Sequence, residues 1–132
     1  MRTILHPTDL SSASRPAFRK AVEMAKTNGA ALEILHVKGS RTPLYGGMYM
    51  SATTYAELGA SATAWVRKET DKLLKTARAA GVKATSAIVD GRPHDRIVRA
   101  ARARRSDLIV MGTHGRTGFS RLLLGSVAAQ VI

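Results

Sequence analysis

The sequence of 132 residues contains no cysteine, which excludes disulfide bonds and thiolate metal sites. The apolar run near the N-terminus is shorter than a signal peptide requires, and no run approaches the length that crosses a membrane. These absences predict a cytoplasmic protein. The length predicts one domain, 1–132, that can bury a core without covalent crosslinks.

Acidic residues are scarce: 9 Asp and Glu stand against 21 Lys and Arg, for a net charge of +12. This excess favours anionic partners, whether nucleotide, nucleic acid or acidic protein. Aromatic residues, which stack on exposed bases, make up only 5% of the chain, and no known nucleic-acid-binding motif is present. Nucleic acid is therefore the less favoured partner.

Short apolar runs alternate with amphipathic segments along the chain, which predicts four strands and their crossover helices. The predicted strands cover 2–7, 31–37, 83–89 and 107–111. The first predicted helix ends near Thr27, and the next two cover 58–80 and 93–105. This order predicts a parallel sheet, whose ligands bind beyond the carboxyl ends of the strands where the winding direction reverses. If strands one and four are neighbours, the polar residues after the first and the glycines after the fourth share one crevice.

Glycines cluster after the fourth predicted strand, at 112, 115, 118 and 125, and Ser126 follows as the start of a predicted last helix. Glycine lets backbone N–H groups approach a phosphate, and a helix N-terminus adds further donors. The spacing matches neither GxxxxGK[ST] nor GxGxxG. Strand, glycine-rich loop and helix start together predict a phosphate site.

The glycine pattern, G-x2-G-x9-G-S from Gly112 to Ser126, resembles the signature of the ATP-binding branch of the universal stress protein family. The segments ILHPTDLSSAS and LEILHV resemble that family's first strand with its loop and its second strand. The resemblance covers nearly the whole chain. It implies an α/β fold, a Rossmann-like three-layer α/β/α sandwich whose open parallel sheet has the strand order 3-2-1-4-5, with ATP at the switch point.

The resemblance also implies a nucleotide-dependent sensor or regulatory module in stress response, working as a homodimer with a further protein partner. In the family a fifth strand follows the last helix and contributes to the dimer contact. This sequence stops inside that helix, at Val131-Ile132, so we expect the fifth strand to be missing and the usual dimer mode to be affected.

The binding residues implied by the resemblance fall into three groups. The nucleoside pocket takes the residues after strand one, with Asp9 hydrogen-bonding the ribose or adenine region, and Val37 contacts adenine largely through its backbone. The glycine segment surrounds ribose and phosphates, and Mg or Mn is held through the phosphates. The full set is Pro7, Thr8, Asp9, Val37, Met111, Gly112, His114, Gly115, Arg116, Gly125, Ser126 and Val127.

Several of these residues have a second interpretation. An Asp between a strand and a helix is often just a helix N-cap, and that role is compatible with ligand binding at Asp9. Ser126 lies outside any G-x-S-x-G motif, so phosphate binding or helix capping is favoured over a nucleophile. Arg116 and Arg121 either offset phosphate charge or lie on the solvated surface.

The sequence predicts no catalytic residue and no metal ligand of the protein. The four histidines lack HxxxH and HExxH spacing, and His6 and His36 are interpreted as pocket wall or core. No Walker-type lysine is evident, so ATP hydrolysis, the enzyme alternative, is expected to be weak.

Two further features leave alternatives open. An arginine row at 92, 96, 99 and 102 shares one helix face, as either a solvated surface or an anion-binding patch. The segment 38–57, rich in Tyr and Met, is predicted to be irregular and is either a lid or partner surface or a loose insertion.

Overall fold

The computed structural model describes residues 2–39 and 52–112. The strands in chain order are β1 (Thr3–Pro7), β2 (Ala31–Lys38), β3 (Ala84–Asp90) and β4 (Leu108–Ile109). The helices are α1 (Arg15–Asn28), α2 (Ala52–Ala79) and α3 (Pro93–Ala103), and a short 3-10 helix, Ser12–Ser14, precedes α1.

The four strands form one parallel sheet in the order β3-β2-β1-β4. In the register, Ile4 lies beside Leu32 on one side and Leu108 on the other, and Leu32 lies beside Ala84. The predicted fold and strand order are thereby confirmed for strands one to four. Because β1 and β4 are neighbours, the chain reverses its winding direction between them.

The helices pack on both faces of the sheet, which makes three layers. Ile4, Leu32 and Ile34 belong to a core cluster that includes residues of α1 and α2. Leu5 and Leu35, the alternate residues of the same strands, pack on the other face with Ile97 of α3. Each of these six side chains is nearly inaccessible, and full burial of one such side chain is worth about 1.5–3 kcal/mol. Consecutive residues of a strand point to opposite faces, so a sheet that is covered on both sides requires apolar residues at successive positions.

Helix α1 begins at Arg15, later than the candidate caps at 8–12 predicted. The turn Ser12–Ser14 comes first, and the two N-cap positions, Ser11 and Ser14, make no side-chain cap bond. Pro16 lies in the first turn of α1, where a missing N–H has no intrahelical partner to lose. The helix ends as predicted, with Gly29 in the left-handed conformation at φ 61°.

Helix α2 begins at Ala52, so the prediction of an irregular segment through 57 was wrong for its last six residues. Thr53, Thr54 and Tyr55 are weak helix formers, which hid the helix start from a pattern-based interpretation. At the other end of the segment, Lys38 belongs to β2, so the prediction was wrong there as well. Residues 40–51 lie outside the described residues, and with them the lid and insertion alternatives.

Strand β4 is shorter than the predicted 107–111, and Pro7 explains where its ladder ends. The Val110 N–H donates to the carbonyl of Leu5 at 2.9 Å. In a parallel ladder the next donor would be the N–H of residue 7, and proline has none. The Nδ1 of His6 lies 2.7 Å from the Val110 carbonyl oxygen and takes the place of that donor.

Candidate functional site

The candidate site lies where the carboxyl ends of the neighbouring strands β1 and β4 lie side by side. Pro7 closes β1, and the segment Thr8–Ser11 leads away from it towards α1. On the neighbouring strand, Met111 and Gly112 continue beyond β4 at the same edge. The structure therefore brings the loop that contains Asp9 and the first glycine of the signature, Gly112, to the same end of the sheet, as predicted from the parallel order.

His6 holds the two strand ends together from inside the core. Its side chain is fully buried, and its ring lies 5.7 Å from that of Phe18. Because the Val110 carbonyl can only accept, Nδ1 carries the hydrogen, and Nε2 is left without a partner among the described residues. Burial lowers the pKa of His6, and the bond to Val110 only partly opposes that effect. His6 is thus a neutral, structural residue, which confirms the core interpretation.

Thr8 is anchored through its backbone and its side chain. The Thr8 N–H donates to the Leu35 carbonyl at 2.9 Å, and Nδ1 of His36 lies 2.9 Å from the Thr8 carbonyl oxygen. Its hydroxyl accepts from the Leu10 N–H at 3.0 Å and lies 3.0 Å from the hydroxyl of Ser14. His36 is buried too, and its core placement is likewise confirmed. The first residue of the loop is held against β2 and the start of α1.

Asp9 closes a tight local turn. Its Oδ1 accepts the Ser11 N–H at 2.9 Å and the Ser11 hydroxyl at 2.5 Å. The N-caps are Ser11 and Ser14, so the helix N-cap interpretation of Asp9 was wrong, and its carboxylate orders the loop instead. Its ligand role stays a prediction.

The backbone inside this turn is strained. Leu10 has φ 64°, a left-handed conformation that costs a residue with a Cβ about 1–2 kcal/mol. The side chains of Thr8 and Asp9 hold this conformation, because they accept the N–H groups of Leu10 and of Ser11, the residue after it. Strain of this kind is concentrated at binding and catalytic sites, where the surrounding contacts over-determine the backbone.

Val37 and Met111 line the same edge on the α3 side of the sheet. Both are partly buried and pack against the cluster of Leu5, Leu35 and Ile97. They present apolar surface near the end of the sheet. Gly112 is half-buried and is the last described residue. The other predicted binding residues lie outside the described residues: His114, Gly115, Arg116, Gly125, Ser126 and Val127.

A buried carboxylate escaped the sequence-based interpretation. Glu33 lies in the middle of β2 with its side chain 5% exposed, and its Oε2 lies 2.9 Å from Nε of Arg104. Burial raises the pKa of Glu33, and the Arg104 charge lowers it in part. The available signal was a charged residue inside the otherwise apolar run ALEILHV. Buried charges need a partner, and Arg104 beyond the end of α3 supplies it.

The arginine row lies on the outer surface of α3. Arg92, Arg99 and Arg102 are exposed, which fits the solvated alternative, whereas Arg96 is half-buried. The backbone of Gly91, at φ 139°, approaches Arg96 so closely that an added Cβ would lie 2.9 Å from its Cγ. The stem of Arg96 therefore lies beside the end of β3.

Residues 2–39 and 52–112 contain no group of three or more His, Cys, Asp or Glu side chains that could hold a metal ion. Within the same ranges, no helix combines the length and apolarity needed to span a bilayer.

Comparison with known proteins agrees with the fold. Universal stress protein MJ0531 of Methanocaldococcus jannaschii is 35% identical over 135 residues, covering 99% of this chain and 75% of that protein. Universal stress protein MJ0577 of the same organism is 30% identical over 142 residues, with 99% and 88% covered.

Solved structures superpose over nearly the whole chain. UspA of Lactobacillus plantarum does so with a TM-score of 0.80 at 25% identity, covering 98% of this chain and 89% of that one. A universal stress protein in complex with cAMP gives a TM-score of 0.68 at 26% identity, with 98% and 86% covered. The model of the universal stress protein family matches residues 1–132. This chain belongs to the universal stress protein family.

Proposed function

We propose that this protein binds an adenine nucleotide, ATP in the first place, and acts as a nucleotide-dependent sensor or regulatory module in stress response. The observation that carries the proposal is the pairing of β1 with β4. This pairing puts the Asp9 turn and the start of the glycine segment at the switch point of an open α/β sheet, where ligands of such folds bind.

The chemistry of this edge fits a nucleoside. A carboxylate held by a tight turn, as at Asp9, can accept hydrogen bonds from ribose hydroxyls or the adenine amino group. Val37 offers partly buried apolar surface for the base. The segment from Gly112 to Ser126 supplies glycines and a predicted helix start for the phosphates. Mg or Mn, if required, would be held through the phosphates.

A relative supports the ligand class. One similar universal stress protein was solved in complex with cAMP, an adenine nucleotide with a single phosphate. The pattern G-x2-G-x9-G-S in this chain resembles the signature of the ATP-binding branch and offers several glycines and Ser126 to a chain of phosphates. We therefore expect ATP to bind more tightly than cAMP, and we place the chain in the ATP-binding branch.

Isothermal titration with ATP, ADP, AMP and cAMP tests the proposal. ATP is expected to bind at micromolar to low millimolar concentration, and Gly115→Val together with Gly125→Val should abolish binding by filling the phosphate cradle. Asp9→Asn keeps the Oδ1 acceptor for Ser11 but removes the charge, so it should weaken binding of the nucleoside part without unfolding the loop.

Asp95→Asn is the matched control, because Asp95 is an exposed carboxylate on α3. The proposal fails if no adenine nucleotide binds, or if the double glycine variant binds ATP as well as the wild type. Analysis of small molecules released from the denatured, freshly purified protein would identify the nucleotide carried from the cell.

We also infer that 1–132 is one domain and that the protein forms a homodimer. Light scattering after size exclusion is expected to give about twice the chain mass of 14.1 kDa. A monomer with and without ATP would contradict this assembly while leaving nucleotide binding intact.

A further inference from the structure

The side of β3 that faces away from β2 presents backbone hydrogen-bonding groups. β3 pairs with β2 on one side, and among the described residues no strand pairs with its other side. The Leu32 N–H donates to the Lys83 carbonyl, and the Gly91 N–H donates to the Lys38 carbonyl. Because backbone groups alternate in direction along a strand, Ser86 and Ile88 point their N–H and C=O groups away from β2.

A groove runs beside this edge on the α3 face of the sheet. Its volume is about 210 Å³. Leu35, Ala87 and Val89 of the sheet and two alanines of α3 make it apolar, and arginines line its rim. The alanines are Ala100 and Ala103, and the arginines are Arg96, Arg99 and Arg104. An apolar side chain entering this groove would be surrounded by cations.

The charges of the rim are not balanced within the described part of the chain. Arg104 is paired with Glu33, the only carboxylate that lines the groove. Arg96 and Arg99 make no ion pair with any described residue. The stem of Arg96 lies close to Gly91 at the end of β3. Within the described residues, two guanidinium groups without an ion pair therefore lie beside a strand edge without a partner strand.

We propose that this edge and groove bind an extended acidic segment of a partner protein. The segment adds to β3 as a further strand, inserts one apolar side chain into the groove and places carboxylates on Arg96 and Arg99. Strand addition supplies affinity through main-chain hydrogen bonds, and alternate side chains supply specificity. A second copy of this chain is disfavoured as occupant of this groove, because two copies paired through β3 would bring the arginines of one rim against those of the other.

The probe is the capped heptapeptide Thr-Glu-Thr-Val-Thr-Glu-Thr, which puts Glu, Val and Glu on one side of an extended strand. Titration at about 0.15 M salt, followed by amide NMR, suppresses unspecific attraction between exposed charges. The expected result is slowed hydrogen exchange of the Ser86 and Ile88 amides. Two versions, N-methylated at odd or at even positions, should differ, because strand pairing uses only one edge of the peptide.

Variants separate this site from general charge attraction. Arg96→Gln with Arg99→Gln should lower the affinity for the peptide about three- to thirtyfold, since each ion pair between an exposed arginine and a peptide carboxylate contributes modestly. Arg67→Gln with Lys68→Gln on α2 removes the same charge elsewhere and should change the affinity less than about twofold. Ile88→Pro removes an outward N–H while sparing the ladder with β2, and it should abolish binding with the fold retained by circular dichroism.

Several outcomes would overturn the proposal. These are no binding of the peptide, equal binding of both methylated versions, unprotected Ser86 and Ile88 amides, or equal effects of the two charge-removing pairs. Tighter binding of a DNA duplex than of the peptide to the same residues would assign the surface to another occupant. So would dimers in light scattering that Ile88→Pro converts to monomers, because that variant alters only the outer side of β3. Failure of any of these tests leaves the nucleotide proposal untouched, because β3 and the β1–β4 edge lie at different places in the sheet.

Discussion

Removal of Arg104 should expose the cost of burying Glu33. Arg104→Ala leaves the carboxylate in the middle of β2 without the cation that lies 2.9 Å away. Breaking a fully buried ion pair in this way costs about 3–5 kcal/mol. Here the Arg104 side chain is 52% exposed, so water offsets part of the loss. We expect a decrease of about 1.5–3 kcal/mol in the free energy of unfolding at pH 7, out of about 5–15 kcal/mol for a typical domain.

The loss should depend on pH in a definite direction. Burial raises the pKa of Glu33 above its ordinary value of 4.5. A raised pKa means that stability is fully present below the unfolded-state pKa and falls as pH rises through the folded-state pKa. Without Arg104 the folded-state pKa rises further, so the fall becomes larger. Below about pH 4, where Glu33 is protonated in both states, variant and wild type should converge.

Urea unfolding followed by circular dichroism, from pH 3.5 to 8, measures this difference. Arg102→Ala is the matched control, because it removes the same charge from an exposed position in the last turn of α3, two residues before Arg104. The control should stay within about 0.5 kcal/mol of the wild type. A loss equal to that of the control, or one that does not change with pH, would refute the assignment of Glu33 as a buried, arginine-dependent charge.

Three other predictions concern stability. Gly29→Ala should lower the free energy of unfolding by about 1 kcal/mol because the backbone of residue 29 is left-handed. Gly59→Ala should raise it by about 0.5–1 kcal/mol, because residue 59 lies in α2 with open space around it. The midpoints of urea unfolding should therefore shift in opposite directions. Burial lowers the pKa of His6, so wild-type stability should fall as pH drops below about 6.5 towards the folded-state pKa, and urea titrations of His6→Leu should lack that slope. Hydrogen bonds from two N–H groups at the start of β1 lower the pKa of Asp107, so Asp107→Ala should lower the melting temperature at pH 7, with a gap that closes as pH falls through that depressed pKa. An unchanged melting temperature would show that these bonds do not stabilise β1.

The candidate site was predictable in outline only. The sequence predicted that polar residues after β1 and glycines after β4 share an edge, and the β1–β4 pairing agrees with this. It did not predict that Asp9 would close a turn onto Ser11, because a side chain that can cap a helix can equally order a loop. Nor did it predict the start of α2 at Ala52, where β-branched and aromatic residues conceal a helix.

The sequence by itself determined the alternation of strands and helices and the stop of α1 at Gly29, because these depend on residues close together in the chain. Pro7 likewise marked the end of β1. Only the tertiary structure decided which buried polar groups meet. His6 bonds Val110 across 104 residues, and Glu33 finds Arg104 beyond the end of α3. A local pattern carries no record of such partners, since they are chosen by the order of strands in the sheet and by the need to pair every buried charge and donor.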